Sequence, residues 1–303
     1  MNNLKELLRK NNLRVKKYQE KNKVKIVDTN KGKYVIKKNN KRNENLYRYL
    51  VNRNFNYILK MDTIEDYILY PYIEEVEMIN EEKAIDLVNI LALLHNKTTF
   101  YREISLDKVK EKYEDIIKKI EYLEKYYYDL QDIIEKKVYM SPGEYLLIRN
   151  ISLIYSSLNF SKQNIDKWYD LKIKQKKERI VLLHKKPRLE HFLVNNNRYL
   201  INWDYYDRDI AIYDFLEFYK SDYLKVEMSS LYEIYQSKFT YTEDECLLFM
   251  SLISLPEKIV FTKNNYEDTI VISNLIEYII KTKEFILKEY KEYKKENKDE
   301  FNK

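Results

Sequence analysis

Apolar positions recur every second residue in short runs near the start of the chain and at three- and four-residue spacing over most of the rest. Val24-Lys25-Ile26-Val27 and Tyr34-Val35-Ile36-Lys37 flank Asn30-Lys31-Gly32-Lys33. That pattern predicts a hairpin with glycine where the turn needs positive φ. A run near Arg14 to Tyr18 predicts a further strand. Residues 43–54 have helical spacing that puts Leu46, Leu50 and Val51 on one face. Asn56 to Lys60 and Asp66 to Tyr70 again read as strands, and Pro71 ends the pairing. The order β-β-β-α-β-β describes a small antiparallel sheet with one helix.

Beyond Pro71 the pattern turns helical. Glu82 to His95 is apolar on several sides, as in a fully buried helix. Residues 106–137 predict a long charged amphipathic helix, Ser141-Pro142-Gly143 a turn, and residues 144–157 another helix. A β-like patch at about 180–203 comprises Ile180-Leu183, Phe192-Val194 and Tyr199-Ile201, after which helices resume near residue 210. The final KEYKKENKDEFNK reads as a solvated or frayed tail. The expected organisation is α+β: a β-rich lobe at 1–71 and a helical lobe at 72–303.

Composition narrows the chemistry. Among 303 residues, 55 basic and 49 acidic side chains give a net charge of +6, spread along the whole chain. A mixed surface of that kind demands neither a nucleic-acid nor a membrane partner. Gly32 and Gly143 are the only glycines and lie far apart. Neither a G-x-G-x-x-G turn nor a G-x-x-x-x-G-K-[ST] phosphate loop can be built from them. The single cysteine, Cys246, excludes an intramolecular disulfide and a cysteine-based zinc site, making a reducing compartment the default. His95, His184 and His191 are the only histidines, and H-E-x-x-H is absent. The start, MNNLKELLRKNN, is polar and helical in pattern, without a signal-peptide core. No run approaches the roughly 18 apolar residues of a spanning helix. A cytoplasmic protein is expected. The 31 tyrosines accompany heavy Lys, Ile and Asn usage, so they read as packing residues from AT-rich coding.

A small β lobe followed by a helical lobe with one β patch is the order of the protein-kinase-like fold. Thr29-Asn30-Lys31-Gly32-Lys33-Tyr34-Val35-Ile36-Lys37 resembles the T-x-x-G-x-Y-x-L-K hairpin of CotS-type spore-coat kinase-like proteins. These belong to the aminoglycoside phosphotransferase and choline kinase superfamily. Leu91-Ala92-Leu93-Leu94-His95 is similar to that group's L-A-x-L-H helix end. Ile201-Asn202-Trp203-Asp204-Tyr205, followed by Asp207 and Asp214-Phe215, resembles its I-D-[FW]-D segment and downstream D-L. The resemblance runs in order over nearly the whole chain.

Its implied chemistry is phosphoryl transfer. By the resemblance, Lys37 matches the phosphate-holding lysine, with Glu44 as candidate ion-pair partner. The catalytic loop, H-G-D-x-x-x-x-N in the family, reads His184-Lys185-Lys186-Pro187-Arg188-Leu189-Glu190-His191. Lysine 186 thus stands at the catalytic aspartate, His191 at the metal-binding asparagine and Asn202 at the metal-binding aspartate. A charged ammonium donates hydrogen bonds but accepts none, so Lys186 cannot take up a hydroxyl proton. Asn202 offers one neutral oxygen where a hard dication favours an anionic one. The expectation is a catalytically inactive pseudokinase with a binding or assembly role, associated with the spore coat if the resemblance extends to role. The alternative is a divergent small-molecule phosphotransferase using Asp204, Asp207 or Glu190.

No cofactor and no Mg²⁺ are expected, while ATP stays open as a ligand. Metal-free nucleotide sensing, with Lys37 and Lys186 together neutralising the phosphates, ranks below both readings. Partners are expected to be proteins, spore-coat components among them. Imidazole at 191 suits a transition metal, but no second His or Cys is near in sequence, so no metal centre is expected. Asp204 is either a displaced metal ligand or a neutraliser of Lys186, the preferred assignment. Asp214 is expected to cap or pair within the fold, and His95 and His184 to serve structure. The basic run Lys172, Lys174, Lys176, Lys177, Arg179, Lys185, Lys186 and Arg188 reads as solvated surface. Sparse aromatics within it argue against nucleic acid.

Overall fold

The computed structural model describes residues 7–21, 24–38, 41–262 and 264–300. Five strands, β1 (Val15–Lys21), β2 (Val24–Thr29), β3 (Gly32–Lys38), β4 (Asp62–Ile64) and β5 (Tyr67–Pro71), form an antiparallel sheet in the order β1-β2-β3-β5-β4. The alternation predicted for β2 and β3 arises because one face of the sheet is covered. Val27, Ile36 and Leu69 pack there with Leu8 and Leu13, which come from the segment around a helical turn at 7–10. The earlier part of the polar N-terminal run lies outside the described residues. Gly32 sits at φ 123° in the β2–β3 turn, where a Cβ would be strained. The register Ile36↔Leu69 and Lys37↔Ile68 sends Lys37 to the face opposite that cluster.

Helix α1 (Lys41–Val51) follows β3. Leu46, Leu50 and the following Phe55 are buried in the main core, whereas Val51 is exposed and leaves the predicted apolar face. The strand expected at 56–60 forms instead at Asp62–Ile64, where the short turn at Glu65 and Asp66 brings it back onto β5.

The helical part comprises α2 (Asn80–Thr98), α3 (Leu106–Glu135), α4 (Pro142–Lys172), α5 (Ile212–Asp222), α6 (Met228–Lys238), α7 (Glu243–Ser254) and α8 (Asn265–Glu300). Helix α4 starts on a capping box in which the Ser141 hydroxyl accepts from the Glu144 N–H and the Glu144 carboxylate accepts from the Ser141 N–H. It runs well beyond the expected end at 157. Ser157 and Ser161, which weaken a helical pattern in isolation, are satisfied against α7 through the Ser254 and Ser251 carbonyls. Gly143 permits a close approach to α8: an added Cβ would lie 3.1 Å from Ile272 Cδ1. The backbone is helical through Glu300, so the expected tail continues α8, and residues 301–303 lie outside the described residues.

Two further strands escape the sequence pattern. β6 (Phe100–Glu103) and β10 (Asp207–Asp209) pair antiparallel with the two edges of β7 (Lys177–Leu183). β8 (Phe192–Val194) and β9 (Arg198–Leu200) form a separate hairpin. Tyrosines 127, 219, 232, 235, 241 and 278 are core residues, as expected, although Tyr122, Tyr128, Tyr139 and Tyr266 are exposed.

The basic run is only partly a solvated surface. Lys172 is buried and pairs with Asp244 at 2.9 Å and Glu178 at 3.7 Å. The Arg179 guanidinium pairs with Glu245, donates to the Thr240 carbonyl and lies 4.2 Å from the Phe239 ring centroid. These two cations tie β7 and the end of α4 to α7.

Candidate functional site

The loop between β7 and β8 and the residues leaving β9 are brought together by strand register. Pairing Phe192 with Leu200 puts residue 191 beside residue 201, and the Ile201 N–H donates to the His191 carbonyl at 2.9 Å. One residue further, the Asn202 side-chain amide lies 3.0 Å from His191 Nε2. His191 Nδ1–H donates to the Lys186 carbonyl at 2.8 Å, leaving Nε2 to accept from Asn202. The two side chains at the positions matched to metal ligands are therefore bonded to each other.

His184 is the buried post of this loop. Its Nε2–H donates to the Ile201 carbonyl at 2.7 Å, Nδ1 accepts from the Lys186 N–H at 3.3 Å, and Trp203 packs edge-on at 4.7 Å. Phe55 in turn meets Trp203 edge-on at 6.3 Å. Burial lowers the His184 pKa from 6.5 to about 4, against an opposing pull from the Asp214 carboxylate. As pH falls through 6.5 the unfolded chain takes up a proton on this ring, while the folded ring stays neutral until about 4. His184 thus contributes stability that is complete above pH 6.5 and is lost as pH falls toward 4. The loss amounts to about 3 kcal/mol. Denaturant unfolding between pH 6.5 and 4.5 should show this slope, and His184→Gln should flatten it.

Asp214 holds the start of the loop. Completely buried in the first turn of α5, it accepts from the His184 N–H at 2.8 Å, the Lys185 N–H at 2.7 Å and His95 Nε2–H at 3.1 Å. His95 also accepts from the Tyr235 hydroxyl at 2.6 Å. Both His95 and Asp214 serve the fold, as expected. Lys185, where the resemblance has a glycine, has φ 71°, and Asn202 has φ 67°. Left-handed backbone at a lysine costs about 1 kcal/mol or more. The paired N–H bonds to Asp214 hold it in place.

The ammonium groups take unexpected partners. Lys37 pairs with Asp204 at 3.1 Å rather than with Glu44. Asp204 therefore does not neutralise Lys186, whose ammonium sits 3.6 Å from the centroid of the Tyr205 ring. Among the described residues, Lys186 has no carboxylate within ion-pair distance. Glu190 lies 3.7 Å from Arg188 and 3.6 Å from His191, and Asp207 accepts from the Arg208 N–H in β10. No cluster of three or more metal-ligating side chains occurs among the described residues.

The sequence reading missed the residues that close the site from the sheet side. Arg42 in α1 donates to the Tyr206 carbonyl and lies 4.4 Å from that ring's centroid, while the Tyr206 hydroxyl donates to the Arg42 carbonyl at 3.0 Å. The Leu200 N–H donates to the Tyr57 carbonyl at 2.8 Å, and the Val76 N–H to the Val194 carbonyl at 2.9 Å. No local pattern marks Arg42 among the basic residues around it. On the far side of the loop, the Lys185 ammonium lies 5.4 Å from the Tyr213 ring centroid. Tyr213 lines a cleft of about 540 Å³ between α3 and the β6–β7–β10 sheet, together with Lys112, Glu178 and Asp209.

No family model matches the chain, and no curated protein matches it in sequence. Solved structures do match. An aminoglycoside phosphotransferase from Alicyclobacillus acidocaldarius superposes with a TM-score of 0.66 at 9% identity, covering 92% of both chains. An AMP-bound spectinomycin phosphotransferase gives 0.55 at 14% identity, covering 92% of this chain and 98% of that one. At such identities the likeness shows the fold: a bilobal, protein-kinase-like α+β architecture with an antiparallel-sheet lobe and a mainly helical lobe. Among the described residues, no helix is long and apolar enough to cross a membrane.

Proposed function

We propose that this protein is a phosphotransferase-fold chain that transfers no phosphoryl group and acts by binding, as a pseudokinase that assembles with protein partners. Spore-coat components are the partners the CotS-type resemblance suggests. The observation that carries this reading is the Asn202–His191 hydrogen bond at 3.0 Å, beside a Lys186 ammonium that has no carboxylate partner among the described residues. The lone pair on His191 Nε2 is already used. Asn202 supplies no anionic oxygen, and Lys186 supplies no proton acceptor. The supports of the loop, His184 and Asp214, stabilise its shape and do not require turnover.

The test is phosphoryl transfer and hydrolysis from radiolabelled ATP with Mg²⁺, run beside Lys186→Ala. The expected result is no turnover above that of the variant. Mg²⁺-dependent turnover that the variant loses would overturn the reading. A second reading, a divergent small-molecule phosphotransferase, draws on Asp204, which pairs with Lys37 of β3 at 3.1 Å. It requires ATP binding that Mg²⁺ strengthens, and a thermal-shift titration with and without the metal separates the two.

A further inference from the structure

We propose that the cleft between α3 and the β6–β7–β10 sheet binds a free α-amino acid with an apolar side chain. Its carboxylate sits on Lys112 and the Trp168 indole, and its ammonium on acids of α3 at the mouth. Glu178, at the start of β7, and Trp168 and Lys172, toward the end of α4, form part of the wall. The 184–191 loop leaves the opposite end of β7, so binding here does not depend on whether that loop is catalytic.

The cleft, at about 540 Å³, has room for a small organic ligand. Trp168 in its wall is 1% exposed, and its indole N–H has no hydrogen-bond partner among the described residues. A buried donor of this kind costs free energy until an acceptor reaches it, and the cleft is where one can enter.

The charges along α3 call for a ligand of both signs. Lys108, Glu111, Lys112 and Asp115 recur at three- and four-residue spacing and all line the cleft. Among the described residues, none of the four has an ion-pair partner. On a neighbouring stripe of the same helix, Glu114 pairs with Lys110 at 3.8 Å and with Lys118 at 3.9 Å. Deeper cations of the cleft are already matched, Arg102 by Glu178 at 2.7 Å and Lys172 by Asp244 at 2.9 Å.

Lys112 is half-buried, its ammonium 5.2 Å from the Tyr213 ring centroid. Burial works against that charge, but the facing Tyr213 and Asp209 outweigh it and raise the pKa, so the ammonium stays protonated. It is a donor for a carboxylate that also accepts from the indole. Glu111 and Asp115 flank Lys112 on α3 and are exposed, where they meet the α-ammonium of the same ligand. Val109, Ile116 and Leu252 give the side chain an apolar surface. A simple anion would face the two acids unpaired, and a simple amine would face the two lysines.

Trp168 and Trp203 are the only tryptophans, so the full chain carrying Trp203→Phe reports on this site alone by its emission. Calorimetric titration of the unaltered chain with leucine and, separately, phenylalanine measures affinity. At least one should bind saturably and change the Trp168 emission. The leucine analogues 4-methylpentanoate, which lacks the ammonium, and 3-methylbutylamine, which lacks the carboxylate, should bind about tenfold or more weakly than leucine. Lys112→Ala should weaken amino-acid binding by about tenfold or more. Lys118→Ala should leave it unchanged, and circular dichroism checks that each variant folds.

Binding of neither amino acid below about 10 mM would overturn the inference. So would equal affinity for either analogue, which would remove the need for both charges. Binding that leaves Trp168 emission unaltered, or that Lys112→Ala and Lys118→Ala weaken equally, would put the ligand elsewhere and overturn the site.

Discussion

Asp214→Ala is expected to destabilise the protein by about 3–5 kcal/mol. Its carboxylate is buried and receives three hydrogen bonds, from His184, Lys185 and His95. Truncation leaves two backbone donors and an imidazole N–H without acceptors, and a water can reach them only by opening the packing of α2 and α5. The Lys185 backbone, held at φ 71° by one of those bonds, also loses the interaction that offsets its strain. Equilibrium urea unfolding measures the change. Asp214→Asn should lose less, because its oxygen keeps one of the two backbone donors. A loss under 1 kcal/mol for the alanine variant would mean that the network does not hold the loop.

The second large effect concerns charge. Lys186→Asp, His191→Asn and Asn202→Asp together restore the acidic pattern of the resembled family and break the His191–Asn202 bond. Two carboxylates and an amide oxygen then stand where an ammonium and the bonded imidazole–amide pair stood. Two aspartates and an asparagine form an oxygen site suited to Mg²⁺. The triple variant should therefore bind Mg²⁺ more tightly than the unaltered chain by about tenfold or more. Calorimetric titration with Mg²⁺ measures the difference. Equal affinity would show that the three positions do not meet at one site.

The sheet was legible because one covered face imposes a period of two, and the same parity directs Lys37 away from the Val27–Ile36–Leu69 cluster. Between His184 and Asn202, the β-like patch was legible as strands, and Phe192–Val194 pairs with Arg198–Leu200. β6 was not, because all four of its residues are exposed and carry no alternation. β10 consists of three charged residues whose strand conformation comes from pairing with β7. The buried roles of Lys172 and Arg179 depend on Asp244 and Glu245, far along the chain, which no local spacing reveals. Pairing was the least legible feature of the site. Asp204 and Tyr205 are neighbours in sequence, yet one takes Lys37 and the other Lys186. Asp204 was assigned to Lys186 on the ground that a lysine among acids finds a carboxylate, whereas the fold of β3 against the 203–205 turn gives Asp204 to Lys37.

If the chain transfers no phosphoryl group, protein groups close the position that the resemblance assigns to a metal. A crystal structure grown with ATP and Mn²⁺, with data collected for anomalous scattering, examines that position directly. The account predicts no anomalous peak between residues 191 and 202 and an intact hydrogen bond from the Asn202 amide to His191. A manganese ion bound there, with that bond broken and Asp204 or Glu190 turned in as a ligand, would contradict it.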